Sequence, residues 1–211
     1  RPNMTVVELW PFGGWYAEIL APYLKDAGTY YAAAMDPESK DKGDLAYNAS
    51  LDKLLSARPE LFSKVKKTVL APGKMEIAPA GTADLVVSFR NIHNWVWAGI
   101  EKDVFAAAYK ALKPGGVLGI VEHRNANPAY EPKKFGEAYV GEEYAVKLIE
   151  SVGFRLAARS NINNNPKDTK DYPKGVWTLP PNYAMGNVDR DKYTAIGESD
   201  RFTLKFVKPA K

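Results

Sequence analysis

Apolar residues along this chain fall into two rhythms, short continuous runs and longer stretches of helical period, and each change of rhythm marks an element. Thr5 to Leu9 is a β-branched apolar run with Glu8 near its end, so it reads as a buried strand. After Gly13-Gly14 the residues Trp15, Ile19, Leu20 and Leu24 recur at helical spacing and predict the buried face of a first helix. Thr29 to Met35 predicts a second strand that stops at Asp36-Pro37, since proline cannot continue a ladder. Asn48 to Ala57 reads as an amphipathic helix ended by Pro59, and Lys67 to Leu70 as a short third strand.

Ala83 to Phe89 predicts a fourth strand running into a polar and aromatic loop, Arg90 to Trp97. Lys102 to Leu112 is the next helix, broken by Lys113-Pro114-Gly115-Gly116 before a fifth strand, Val117 to Val121. The Asn, Pro, Lys and Gly of Asn125 to Gly141 predict a loop or lid. Helix Glu142 to Val152, strand Phe154 to Ala158 and strand Phe202 to Val207 follow, with Asn161 to Gly186 as a long segment without regular pattern. Strands and helices alternate throughout, without repeats or a linker. The expectation is a single α/β domain, a Rossmann-like, doubly wound and mainly parallel seven-stranded sheet with helices on both faces.

A strand that turns abruptly into a helix leaves the first helical N–H groups pointing into the crevice at the strand's carboxyl end, where open α/β sheets bind ligands. Composition narrows what that ligand is. The net charge of +4 is spread along the chain, with one tight basic cluster at Lys64, Lys66 and Lys67, which reads as a solvated strand entry and not a nucleic-acid surface. Cysteine is absent, which removes disulfides, thiolate metal sites and cysteine nucleophiles together. No apolar run is long enough to cross a bilayer. The chain opens directly on a core strand, so a covering helical segment is expected upstream.

An acidic strand end with a Gly turn, a strand ending in Asp36, and Lys-Pro-Gly-Gly before another strand together resemble a class I S-adenosylmethionine-dependent methyltransferase across nearly the whole chain. More narrowly, VVELWPFGGWYAEILAPYL, FRNIHNW, EHR and NPKDTKDYPKGVWTLPP resemble a bacterial group of predicted methyltransferases whose members often carry export signals, which implies a periplasmic location. The resemblance implies S-adenosyl-L-methionine as cofactor. Glu8 and the turn Trp10, Pro11, Phe12, Gly13, Gly14 would hold its amino-acid end, Asp36 its ribose, Glu76 and Ile77 its adenine, and Arg90 and Asn91 its methionine side. It also implies that strands four and five lie beside strand one and that the last strand is antiparallel. The family pattern acid-x-G-x-G-x-G is here Glu8-Leu9-Trp10-Pro11-Phe12-Gly13-Gly14, so only the last glycine position is filled. Trp10 and Phe12 are expected to crowd a path that glycine leaves open.

The two histidines, His93 and His123, fall just beyond strands four and five. If those strands are neighbours, both imidazoles face one crevice, as proton acceptors or as hydrogen-bonded loop anchors. Tight metal-ligand spacing is absent, and no metal is expected. Arg90 and Arg124 follow the same strands and suit an anionic substrate group, or else salt bridges to Glu8 or Glu122. Trp95, Trp97, Trp177 and Tyr183 would roof the site and stack on a planar substrate, or simply pack. The Asn and Asp residues between Asn161 and Asp171 read as turn chemistry.

The leading expectation is methyl transfer to a small-molecule acceptor, aromatic or anionic. A second is a protein of the same fold with a degenerate cofactor loop, acting as a binding protein or as an enzyme of different chemistry through His93, His123 and Arg124. A third is an interaction module that uses the Asn161 to Gly186 loop.

Overall fold

A computed structural model describes residues 1–210. Its elements run β1 (Thr5–Leu9), α1 (Ala17–Leu24), β2 (Thr29–Ala34), α2 (Lys42–Ala57), α3 (Pro59–Phe62), β3 (Lys66–Val69), β4 (Ala83–Phe89), α4 (Ile92–Ala98), α5 (Glu101–Ala111), β5 (Leu112–His123), α6 (Glu142–Glu150), β6 (Arg155–Ser160), α7 (Arg190–Ile196) and β7 (Arg201–Val207). The strands form one sheet in the order β3-β2-β1-β4-β5-β7-β6. Strands β1 to β5 are parallel, and β7 is antiparallel to both β5 and β6. This is the Rossmann-like, doubly wound sheet that the alternation predicted, with β4 and β5 on the expected side of β1.

The period-two alternation of each strand splits the core between the two faces. Val6, Tyr30, Ala32 and Ala34 pack with Ala17, Ala21 and Leu51 on the face covered by α1, α2 and α3. Val7, Leu9, Ala33 and Val86 pack with Trp95, Val104, Phe105 and Ile149 on the face covered by α4, α5 and α6. Glu8 has the parity of Val6, so its carboxyl is delivered to the α1 side of the sheet. Because the order of strands reverses at β1 and β4, a crevice opens between their carboxyl tips.

The structure corrects the reading of several elements. Trp15 and Ile19 are not the buried face of α1: they are 71% and 59% exposed. The helix begins only at Ala17 and turns Ala17, Ala21 and Leu24 inward. Two stripes of helical spacing compete here, and small alanines let the helix lie closer to the sheet than Trp15 and Ile19 would. Residues read as a loop after β4 instead form α4, whose buried Ile92, His93 and Trp95 face the core. Helix α2 starts six residues before Asn48, where the Asp41 carboxylate accepts from the N–H groups of Gly43 and Asp44. The segment Asn161 to Gly186 is built of turns plus one 3-10 turn, Gly175–Thr178, and is tied down at Asp168. The buried Asp168 carboxylate accepts from the Tyr139 hydroxyl at 3.0 Å and from the Asp200 N–H at 2.7 Å. Local bonds from the Lys167 N–H to Asn165 Oδ1 at 3.1 Å and from the Lys170 N–H to Asp168 Oδ1 at 3.0 Å are the turn chemistry read for the segment's Asn and Asp residues.

Candidate active site

The turn that follows β1 sets the geometry. Its three motif positions all lie at positive φ: Trp10 at 47°, Phe12 at 48° and Gly14 at 90°. The backbone thus keeps the left-handed conformations that the glycines of the family pattern would permit, even where the residue is not glycine. Such a conformation costs a residue with a Cβ about 1–2 kcal/mol. Gly14 itself is needed for space, since a Cβ there would lie 2.3 Å from Leu54 of α2. The Trp10 indole N–H donates to the Leu70 carbonyl at 2.8 Å, which ties this turn to the tip of β3. The Phe12 ring instead leans toward Tyr47 of α2, with centroids 4.6 Å apart.

Two cavities meet at this turn. The larger, about 740 Å³, lies over the tips of β1, β2, β4 and β5 and is lined by Asp36, Arg90, His93 and His123 among others. The smaller, about 340 Å³, lies on the α1 side and holds Glu8, Pro11 and Gly13. Trp10, Phe12, Phe89 and Arg90 border both, so they form the partition between them.

At one end of the larger cavity, the Asp36 carboxylate accepts from the Glu38 N–H at 3.0 Å and is paired with Lys74 Nζ at 2.9 Å. The backbone N–H and then the Lys74 ammonium hold its pKa below the ordinary carboxylate value. In the smaller cavity Glu8 is buried, and burial pushes its pKa up to about 7 despite the Tyr30 hydroxyl that donates to it.

At the other end, His93 comes from the first turn of α4 and His123 from the end of β5. The His93 ring meets Glu122 Oε1 through Nδ1 at 3.1 Å, and Glu122 is fully buried. The same carboxyl accepts from the backbone N–H of His123 at 2.8 Å and, more weakly, from that of His93 at 3.4 Å. A carboxylate only accepts, so Nδ1 carries the proton in this contact, and in the neutral ring Nε2 is the nitrogen left to accept. His123 lies with its ring centroid 5.7 Å from that of His93 and meets Ser199 Oγ through Nδ1 at 2.6 Å. Burial, and then the nearby His93, Arg201 and Arg90, keep its pKa well below the ordinary histidine value. Trp97 and Trp177 complete this end, each with its ring against that of His93, at 5.0 and 6.4 Å.

The structure therefore brings together Asp36, Trp10, Phe12, Arg90, His93 and His123, with Pro11, Gly13 and Glu8 across the partition. It leaves others outside. Arg124 is not in the cavity: it pairs with Glu142 at 3.0 Å and Asp200 at 3.6 Å, because the chain beyond β5 carries it past the crevice. Arg201, opposite His123 in the β5–β7 register, supplies the cation at that place. Asn91 lies beneath the crevice and donates from Nδ2 to the Leu9 carbonyl at 3.0 Å, bracing the β1 turn. Glu76 is exposed and Ile77 is buried in the core, and neither lines either cavity; Ala71 and Pro72 occupy the β3 tip instead. Trp95 is fully buried beside Trp10, and Tyr183 lies under Arg190 away from the site. Arg201, Ser199 and Tyr47 were not anticipated. Only the β5–β7 and β1–α2 packing brings them to the cavity, and the sequence spacing carries no trace of it. No group of metal-binding side chains occurs among the described residues.

No protein-family model matches the sequence, and no curated protein is similar to it. Solved structures are similar. A SAM-dependent methyltransferase from Methanosarcina mazei superposes with a TM-score of 0.66 over 100% of this chain and 95% of its own, at 11% identity. The N-methyltransferase NodS from Bradyrhizobium japonicum, in complex with S-adenosyl-L-homocysteine, superposes with a TM-score of 0.59 over 98% of this chain and 78% of its own, at 14% identity. This chain has the fold of the S-adenosylmethionine-dependent methyltransferases. The methyltransferase fold also carries other chemistry. The [4+2]-cyclase SpnF superposes with a TM-score of 0.64 over 99% of this chain and 76% of its own, at 15% identity. No helix among the described residues is long and apolar enough to cross a membrane.

Proposed function

We propose that this protein transfers a methyl group from S-adenosylmethionine to a small-molecule acceptor. The observation that carries the reading is the single cavity of about 740 Å³ that joins Asp36 and the positive-φ turn at one end to the Glu122-fixed His93 at the other. Its volume is in the range of small-molecule sites. The residues present fit the cofactor. The backbone of Trp10 to Gly14 stands at positive φ at the three motif positions, Asp36 lies just past the tip of β2, and Glu8 would hold the amino-acid end.

When bound, S-adenosylmethionine supplies an electrophilic methyl whose bond to sulfur breaks as the bond to the acceptor forms, leaving a neutral thioether. The protein's own part is placement and proton removal. His93 Nε2 takes the acceptor proton while Glu122 holds the ring in the required tautomer and offsets the positive charge that develops on it. The resemblance to an export-signal-bearing bacterial group makes a periplasmic site part of the same proposal. Isothermal titration with S-adenosylmethionine and S-adenosylhomocysteine tests it. Binding in the micromolar range is expected, and no heat at millimolar ligand would remove the reading.

One observation favours a second reading, a methyltransferase-fold protein that does not use the cofactor. The Phe12 ring stands in the partition between the two cavities at a position where the family pattern has glycine. If Phe12→Gly creates cofactor binding that the parent protein lacks, the second reading holds for the parent.

A further inference from the structure

Resting on the methyl-transfer reading, the chemistry of the far end of the cavity identifies the class of acceptor. We infer that the acceptor is a planar hydroxyaryl carboxylate, its ring on the wall formed by Trp97 and Trp177, its hydroxyl at His93 and its carboxylate at Arg90.

Three observations converge. First, the wall is aromatic and continuous: Trp97 and Trp177 have centroids 6.3 Å apart, and Phe135 lies 5.0 Å from Trp97 on its outer side. A wall of this kind takes a flat ring in offset or tilted contact. Second, Arg90 is the cation without a counter-charge. Among the described residues its guanidinium has no ion pair or hydrogen bond, whereas Arg201 is held by Glu198 and Ser199. Its backbone stands at φ 63°, fixed by an N–H bond of 2.7 Å to the Val121 carbonyl, so the side chain is set into the partition by a strained residue at the strand tip. Arg90 lines the same cavity as both histidines, so a molecule in that cavity can touch all three. Third, His93 has its Nδ1 engaged by Glu122, which leaves Nε2 to meet a ligand, and its ring lies against both tryptophans.

These features reject the alternatives. A cationic amine would face Arg90 and Arg201 without any free carboxylate in the cavity's far end. A wholly apolar acceptor would bury Arg90 and His93 without partners, a desolvation loss that discriminates strongly. A phenol with a carboxylate satisfies each group. Its O–H bond breaks with the proton passing to His93 Nε2, the electron pair stays on the phenolate oxygen, and the imidazolium formed is held by Glu122.

The test is direct binding, read without turnover. 3-Hydroxybenzoate, 4-hydroxybenzoate, phenol and benzylamine are titrated into the full chain, with and without S-adenosylhomocysteine, following tryptophan fluorescence and the ultraviolet phenolate band. At least one hydroxybenzoate is expected to quench fluorescence and bind roughly 10- to 100-fold tighter than phenol, the range of one charged hydrogen-bonded contact. Arg90→Gln should abolish that difference while leaving phenol binding unchanged. Arg90→Gly makes the same test with the positive φ relieved, should the first variant fold poorly. Bound hydroxybenzoate should show a phenolate band below its free pKa, and His93→Gln should lose the band but retain binding. Benzylamine binding as tightly as the hydroxybenzoates, or hydroxybenzoate binding indifferent to Arg90, overturns the inference. Heat from S-adenosylhomocysteine with silent hydroxybenzoates removes the acceptor class and leaves methyl transfer standing. Arg90-dependent hydroxybenzoate binding without any cofactor heat does the reverse.

Discussion

The two ends of the crevice are built by opposite means. At the β1 turn the backbone takes the left-handed conformations that glycine favours, while the side chains on it, Trp10 and Phe12, are large and stand at φ 47° and 48°. At the tips of β4 and β5 the backbone is ordinary at the histidines, and the polar groups are closely satisfied: one fully buried carboxyl serves the His93 ring and two backbone N–H groups. One end stores conformational strain, and the other stores a desolvated charge network. The difference teaches where each kind of substitution will be felt, since strain is relieved by removing a side chain and a buried network is broken by it.

The largest expected effect is on the network's chemistry. His93→Gln should lower methyl transfer about 10²- to 10⁴-fold, the contribution of a positioned general base, with S-adenosylhomocysteine affinity unchanged in calorimetry. An undiminished rate would leave the two ends without division of labour. Next, Glu122→Ala strands the His93 Nδ1–H and two backbone donors in the interior. It should lower unfolding free energy by roughly 3–5 kcal/mol in urea titrations, as breaking a buried charged network does. Glu122→Gln, which can still accept, should be milder.

The buried carboxyl across the partition behaves differently. Burial raises the pKa of Glu8 to about 7 from the ordinary 4.5, so the folded protein holds this proton more tightly than the unfolded chain. Its stabilising contribution is complete below about pH 4.5, declines as pH rises through 7 and is lost above, amounting to roughly 3 kcal/mol. Glu8→Gln should therefore be more stable than the parent at pH 8 and indistinguishable at pH 4.5, compared by urea midpoints. A pH-independent difference would show that Glu8 is charged throughout. The smallest effect belongs to the strained turn. Phe12→Gly relieves a left-handed residue, worth about 1 kcal/mol, and gives up the ring contact with Tyr47. Net stability should change by less than about 1 kcal/mol, while cofactor binding tightens by about tenfold as the two cavities join. Weaker binding in that variant would reverse the roles assigned to side chain and backbone at this turn.

How legible the molecule was depended on the kind of information each feature needs. The strand runs, the turn breakers and the Asp36 terminus are local, and each was readable because a buried strand or a proline has few alternatives. In the stripe predicted for α1, Leu24 is buried but Trp15 and Ile19 misled, because helical period alone cannot say whether a helix turns its large or its small residues toward a sheet. Arg124 and Arg201 exchanged places for a related reason: one follows β5 and the other lies opposite its end, and only the antiparallel register decides which cation enters the cavity.

By itself, then, the order of residues determined the alternation of strands and helices, the sheet that it implies, and the placing of His93 and His123 at the ends of two strands, one just past β4 and the other closing β5. Those are consequences of hydrophobic period and of backbone restrictions acting over a few residues. Tertiary packing decided that Glu122 would fasten one imidazole, that Phe12 would stand between two cavities and that Arg90 would be left without a counter-ion. Each of these rests on groups far apart in the chain meeting in a medium of low polarity, where a missing or added partner changes the outcome most.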